Sequence, residues 1–136
     1  MSAPLPNPPN AAALRALVLD ERPAIRDRVC AILTEAGMRS FDLGSTLGST
    51  SIMARRQIDI VIVGSDLAGK NADRFVQMLR NNPRRAHLKI IRVVADEADV
   101  QADHEADVVV EERDLERSLI SVVHAVMRQS SVLSRT

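Results

Sequence analysis

From residue 14 onward, short apolar runs alternate with longer segments whose apolar residues recur every three or four positions. Four clear runs span Leu14 to Leu19, Ile58 to Val63, Lys89 to Val94 and Val108 to Val110. A weaker run covers Ser40 to Leu43. The runs have the length of strands, and the segments between them have the period of amphipathic helices. Strands that alternate with helices predict an α/β fold, in which a parallel sheet carries helices on both faces.

Local signals mark the ends of the predicted helices. The first begins near Pro23, because proline is favoured in the first turn of a helix, and Gly37 supplies its end. The other helices are predicted at about Thr50 to Arg56, from Ala72 to Arg80, and from a cap at Asp114 onward. Five strands and five helical segments result when a short fourth helix is placed between Val94 and Val108.

Length and composition limit the chain to one domain. With 136 residues, of which 46% are hydrophobic, there is room for one core. We place the domain at residues 14–128, between a tail at 1–13 and a C-terminal tail at 129–136. Four of the six prolines lie in the first tail, so we expect it to be flexible. No run approaches the roughly 18 apolar residues of a membrane span, and no secretory signal is visible, which predicts a cytoplasmic protein without membrane insertion.

Cysteine and histidine offer no metal site in the sequence. Cys30 is the only cysteine, and inside an amphipathic helix it is interpreted as a small core residue. His104 and His124 have no partner of the His or Cys type at ligand spacing. We therefore expect no metal and no cofactor.

Several stretches resemble the receiver domain of bacterial two-component response regulators, in particular the chemotaxis-regulator type. They are LVLDERPAIRDRV, IDIVIVGSDLAG, NADRFVQMLRNNP and DLERSLISVVHAVM. The resemblance covers residues 14–128 and implies a doubly wound (βα)5 sheet with the flavodoxin-like strand order 2-1-3-4-5. It places Asp20 and Glu21 where the family carries magnesium-binding carboxylates.

The same resemblance implies a phosphorylation pocket that is degenerate in this chain. Members of the family accept a phosphoryl group from a histidine kinase on an aspartate, and Gly64 stands at that position. Val94 stands where the family has Thr or Ser. Either Glu111 or Glu112, depending on the register, stands where it has Lys. We therefore expect no phosphoryl transfer and no enzymatic activity.

Three carboxylates remain near this pocket. Asp20 and Glu21 are interpreted as a solvated remnant that caps the first loop and the helix N-terminus. Asp66 lies beyond the strand end, about two strand residues or roughly 6 to 7 Å from the acceptor position. An alternative function is thus a response regulator whose acceptor has moved to Asp66. The complete degenerate pocket comprises Asp20, Glu21, Gly64, Asp66, Val94, Glu111 and Glu112.

Charges are segregated along the chain, although Lys plus Arg and Asp plus Glu are equal at 18 each. Asp96 to Glu116 carries ten carboxylates against Arg113 alone. In the resembled family the matching surface, from the fourth helix to the fifth, serves dimerisation and output. We predict a stand-alone, phosphorylation-independent pseudo-receiver that binds a protein partner of a bacterial signalling pathway, or a second copy of itself, through this face. The candidate contact residues are Glu105, Glu111, Glu112, Arg113 and Asp114.

The segment from Arg80 to Arg92 is basic, with five Lys or Arg residues and no acidic one. This segment favours an alternative function, a cyclic-dinucleotide-binding effector, because guanidinium groups match phosphates and stack on bases. The candidate residues are Arg84, Arg85, Arg55 and Arg56. The balanced net charge and the lack of a visible recognition helix predict no DNA binding.

Overall fold

The apolar runs form one parallel sheet. The computed structural model describes residues 13–65, 67, 72–96 and 105–135, with side chains up to residue 128. Its strands are β1 (Arg15–Leu19), β2 (Arg39–Leu43), β3 (Ile60–Val63), β4 (Lys89–Val94) and β5 (Val108–Glu111). They lie in the order β2-β1-β3-β4-β5, and all four pairings are parallel. The predicted strand order is confirmed.

The described helices are α1 (Pro23–Glu35), α2 (Ser49–Arg56), α3 (Ala72–Asn81) and α4 (Leu115–Arg135), and a 3-10 turn at Glu112–Asp114 leads into α4. The last helix continues past residue 128, where the sequence analysis ends the domain. The short helix predicted between β4 and β5 falls mainly on 97–104, outside the described residues. Within the described part of the chain, none of the helices has both the length and the apolar character that a membrane span requires.

The bounds of α1 follow from its sequence. Pro23 lies in the first turn, where its missing N–H costs no helical hydrogen bond. The helix ends at Glu35, and Gly37 takes a φ of 89°, a conformation that suits a residue without a Cβ atom. The predicted start and end are confirmed. The buried residues follow each other at four-residue spacing: Ile25, Val29 and Leu33.

Both faces of the sheet are covered by helices. One face packs against α1 and α4 through Ala16, Val18, Ile60, Ile62, Ile91 and Val93. The other packs against α2 and α3 through Leu17, Leu19, Val61, Val63 and Ile90. Successive strand residues point to opposite faces, so a strand covered on both sides must be apolar throughout. The register pairs Leu19 with Val63, which brings the residues after β1 and β3 together at the carboxyl edge.

Arg92 interrupts the apolar pattern of β4. It is only 6% exposed, and its Nη1 donates a hydrogen bond to Asp73 Oδ1 in the first turn of α3. Its buried Nε has no hydrogen-bond partner in the described structure. The segment from Arg80 to Arg92 is therefore not one basic surface, because the fold places this arginine inside the core.

Arg80 is also used inside the fold. Its guanidinium donates hydrogen bonds to the backbone oxygens of Leu88 at 2.7 Å, Glu105 at 2.9 Å and Ala86 at 3.3 Å. It also pairs with Asp107 Oδ2 at 2.6 Å, and its side chain is 18% exposed. One side chain thus joins the end of α3 to the starts of β4 and β5.

We expect Arg80→Ala to lower the free energy of unfolding by about 1–3 kcal/mol, because several carbonyl oxygens and Asp107 lose their donor. The measurement is urea denaturation with an unchanged m value. Arg84→Ala removes an exposed arginine and serves as the control, with an expected change within about 0.5 kcal/mol. Equal effects of the two substitutions would contradict a structural role for Arg80.

Candidate functional site

Asp20 and Gly64 face each other at the carboxyl edge of the sheet. Asp20 follows β1, Gly64 follows β3, and the Gly64 N–H donates to the Leu19 oxygen at 2.8 Å. Both residues are buried, and Asp20 is 0% exposed. In parallel α/β sheets this edge is where ligands bind. The fold therefore brings together two residues of the predicted pocket.

The Asp20 carboxylate occupies the space that a side chain at position 64 would need. A Cβ atom on Gly64 would lie 1.8 Å from Asp20 Oδ2 and 2.7 Å from its Cγ. Carbon atoms in van der Waals contact are about 3.5–4.0 Å apart. While Asp20 keeps this position, residue 64 has to be glycine. The absence of a side chain at position 64 and the inward carboxylate of Asp20 are therefore one structural feature.

Arg22 neutralises this carboxylate from the same loop. Its backbone N–H donates to Asp20 Oδ1 at 2.8 Å, its Nε to Oδ1 at 3.0 Å and its Nη2 to Oδ2 at 2.9 Å. The same Nη2 donates to Glu112 Oε2 at 2.7 Å. Hydrogen bonding to Asp20, and to a lesser degree to Glu112, raises the pKa of Arg22 above its ordinary value. The guanidinium therefore stays charged and bridges two carboxylates from different elements.

Local sequence explains how Arg22 reaches this position. Proline disfavours helical dihedral angles in the preceding residue, and Arg22 has φ −83° and ψ 116° before Pro23. The backbone at residue 22 is therefore extended rather than helical. Its side chain points back toward Asp20, two residues earlier in the chain.

Besides Arg22, which precedes α1, two arginines within α1 hold the backbone around the pocket. Arg26 Nη1 donates to the backbone oxygen of Asp20 at 2.8 Å. Arg28 Nη2 donates to the backbone oxygen of Glu112 at 3.0 Å and pairs with Glu116 at 2.7 Å. The loop after β1 and the turn that opens α4 are thus tied together by side chains of one helix.

The donor set does not fit the magnesium ion that the resembled family binds. Mg²⁺ needs several oxygen ligands in near-octahedral geometry. Both oxygens of Asp20 and one of Glu112 already accept hydrogen bonds from Arg22, whose positive charge would repel a second cation. Gly64 adds no side-chain oxygen. In the part of the chain that the structure describes, no group of three His, Cys, Asp or Glu residues is arranged to hold a metal ion.

The two glutamates after β5 make different contacts. Glu111 ends β5, is the register partner of Val94, and pairs with Arg113 at 2.7 Å. Glu112 opens the 3-10 turn and reaches the pocket through Arg22. Val94, the residue predicted to replace a hydroxyl, is buried at the end of β4. By contact, Glu112 is the glutamate next to Arg22 and Asp20, whereas by strand register Glu111 is the residue opposite Val94.

The prediction of a solvated Asp20 is wrong, whereas Glu21 is exposed as predicted. Burial of a carboxylate is tolerated when a hydrogen-bonded positive charge accompanies it, and Arg22 supplies that charge. Sequence reasoning missed Arg22. The available signal was a cation directly after the acidic pair in LDERP. Asp66, the alternative acceptor, lies outside the described residues.

Most of the acidic segment's carboxylates that the structure describes are neutralised by arginines, which the sequence alone does not indicate. Five of its carboxylates pair with arginines: Asp107 with Arg80, Glu111 with Arg113, Glu112 with Arg22, Asp114 with Arg117 and Glu116 with Arg28. Three of these arginines come from the loop before α1, from α1 itself and from α3, which the fold places beside the segment. Charges that are separated along the chain are therefore paired in space.

A cavity of about 270 Å³ lies between β5 and α4 on the predicted partner face. Its walls are Val109, Val110, Glu111, Asp114, Ser118 and Val122. Glu111 and Asp114 thus reach this cavity, whereas Glu112 belongs to the pocket. Glu105 is exposed, and its backbone oxygen accepts from Arg80.

The arginines predicted to bind a nucleotide lie at the opposite, amino edge of the sheet. Arg55 and Arg56 are in the last turn of α2, and the guanidinium carbon of Arg56 is 5.5 Å from the ring centroid of Phe41. Arg85 donates to a backbone oxygen of α2 at 3.4 Å, and Arg84 is exposed. The structure places Arg85 beside α2, and nucleotide binding stays a prediction.

We expect Gly64→Ala to lower the free energy of unfolding by about 1–3 kcal/mol, because the new methyl group overlaps the Asp20 carboxylate. Chemical denaturation of Gly64→Ala, Asp20→Ala and the double variant measures the coupling. In the Asp20→Ala background the added methyl group should cost far less, since the carboxylate is gone. Additive effects of the two substitutions would show that they do not compete for the same space.

Comparison with solved structures identifies the fold. The chain superimposes on a CheY-like response regulator receiver domain from Methylobacillus flagellatus with a TM-score of 0.75 and 20% identity, covering 85% of this chain and 99% of that chain. The chemotaxis response regulator CheY4 of Vibrio cholerae gives a TM-score of 0.75 at 14% identity, with coverages of 85% and 99%. A sensor protein from Polaromonas sp. JS666 gives 0.78 at 20% identity, with coverages of 86% and 98%. No family model and no curated protein matches the sequence. The chain therefore has the fold of CheY-like response-regulator receiver domains.

Proposed function

We propose that this chain is a phosphorylation-independent pseudo-receiver, which regulates signalling by binding a protein partner. The observation that carries the proposal is the Asp20 carboxylate in the space above Gly64. The position that accepts a phosphoryl group in the resembled family has no side chain and no room for one. A receiver fold without an acceptor acts through its surface, since function resides in sites rather than in the fold itself.

Electrostatics support the same conclusion. Transfer of a phosphoryl group requires positive charge or hydrogen-bond donors where negative charge develops. Here Arg22 is already engaged by Asp20 and Glu112, and Val94 carries no hydroxyl. A phosphoryl group would therefore bring further negative charge beside two carboxylates.

An amide NMR titration tests phosphorylation independence. We expect Mg²⁺ followed by beryllofluoride, which mimics a phosphorylated aspartate, to leave the signals of Asp20, Gly64 and Val94 unchanged, because the pocket is already filled. A receiver domain with an intact acceptor aspartate serves as the positive control. Saturable shifts that spread from Gly64 or Asp66 toward Val94 would contradict the proposal and favour an acceptor at Asp66.

The cavity between β5 and α4 is the surface that we propose for partner binding. β5 lies at one edge of the described sheet, and Val109 and Val122 in the cavity walls are only half-buried. Glu111 and Asp114, which also line the cavity, are paired with neighbouring arginines. Protein interfaces commonly combine apolar contacts with polar ones in this way. The partner is thus a protein with an apolar anchor residue, and a second copy of the chain is the alternative.

Ser118→Arg tests this surface, since it places a long charged side chain in the cavity. We expect the Kd for a protein partner to rise at least about tenfold, the loss of one moderate anchor contact. Partners are recovered by crosslinking in cell extract, purified and titrated calorimetrically, and light scattering tests self-association. Met78→Arg on the exposed side of α3 is the matched control. Unchanged binding by Ser118→Arg, or an equal loss with Met78→Arg, would place the interface elsewhere.

A further inference from the structure

We infer that Arg22 is the resident cation of the pocket: its guanidinium holds Asp20 and Glu112 in place and excludes divalent ions from their oxygens. This inference deepens the proposed function, since a pocket with a permanent cation has no ion or phosphoryl group to respond to. It rests on the observation that the oxygens of Asp20 and Glu112 do not form a site for Mg²⁺. They bind the guanidinium of Arg22 instead.

The first step of the argument is the burial of Asp20. Its side chain is 1% exposed, whereas that of Arg22 is 35% exposed. Water therefore cannot solvate the carboxylate, and a partner within the chain has to do so. Arg22 meets this requirement through a fork, with Nε on one oxygen and Nη2 on the other. Two parallel hydrogen bonds of this kind fix the orientation of both groups as well as their charge balance.

The second step is the link to Glu112. A single nitrogen, Nη2 of Arg22, lies 2.9 Å from Asp20 Oδ2 and 2.7 Å from Glu112 Oε2. Two carboxylates this close to one point repel each other unless a cation lies between them. Arg28 holds the backbone oxygen of the same glutamate, so the turn that opens α4 is fixed from two directions. Because Arg22 is part of the chain, its charge cannot dissociate from the pocket.

Removal of the guanidinium should therefore create an ion requirement that the wild-type protein lacks. We expect Arg22→Ala to lower the Tm by about 9–15 °C, because Asp20 remains buried without its partner. Addition of Mg²⁺ at about 10 mM should then raise the Tm of the variant by roughly 4 °C, as for a site with a Kd near 1 mM. The wild-type Tm should not respond. Mn²⁺ should broaden amide signals around Asp20 and Glu112 in the variant alone.

Two variants serve as controls. Asp20→Asn combined with Arg22→Ala removes a required ligand, so the response to Mg²⁺ and Mn²⁺ should disappear. Arg26→Ala deletes an arginine of the same region but leaves the Arg22 fork intact, so it should lower the Tm without creating an ion response. If Arg22→Ala does not fold, Arg22→Gln takes its place, since its amide still donates to Asp20 but carries no charge.

An ion response in Arg22→Ala or Arg22→Gln that the double variant lacks is the expected result. Folded Arg22 variants that do not respond to Mg²⁺ or Mn²⁺ would overturn the inference, as would a wild-type or Arg26→Ala protein that responds equally. The proposed function fails by a different result, namely beryllofluoride shifts in the wild-type protein. An insensitive Arg22 variant together with an inert wild-type pocket would refute only the role of Arg22.

Discussion

A buried carboxylate needs a positive charge within hydrogen-bonding distance, and the pocket of this protein is organised around that requirement. Asp20 follows a strand that is covered on both faces, and its own carboxylate is fully buried. Arg22 meets the requirement from two residues away. The inward carboxylate then requires glycine at position 64. The guanidinium of Arg22 also donates to Glu112 and so fixes the position of that side chain. The Asp20–Arg22 ion pair thus determines the arrangement of the pocket and of the turn that opens α4.

The parallel topology explains why the ion pairs connect distant parts of the chain. Arg22 and Glu112 are 90 residues apart, and Arg28 and Glu116 are 88 residues apart. In a doubly wound sheet the first and last helices cover the same face, so the start of the domain lies against its end. The arginines of the first loop and helix neutralise carboxylates that follow the fifth strand. Charges that are segregated along the sequence are therefore paired in space across the part of the fold that the structure describes.

The fold was predictable from sequence to a greater extent than the site. Strands covered on both faces require continuous apolar runs, and Ile60–Val63 follows this rule. The resemblance also singled out Gly64, as the residue at the position where the resembled family carries its acceptor. The burial of Asp20 was not predictable in this way. It depends on the contact with the Arg22 side chain, which the pattern of apolar and polar residues does not indicate. Arg92 shows the same limit, since its place in the core depends on Asp73 from another element. A contact between charged residues of different elements depends on the tertiary structure, and the order of charges along the sequence does not predict it.

The interlocking of Asp20 and Gly64 also has an evolutionary consequence. A codon change that introduces a carboxylate at position 64 brings the new side chain into overlap with the Asp20 carboxylate. The outward movement of Asp20 has to come first, and that step leaves Arg22 without its main partner while nothing is yet gained. Each single change is therefore disfavoured until the others have occurred. Residue 64 is therefore kept as glycine by a neighbouring side chain, and a change there is tolerated only together with a change at residue 20.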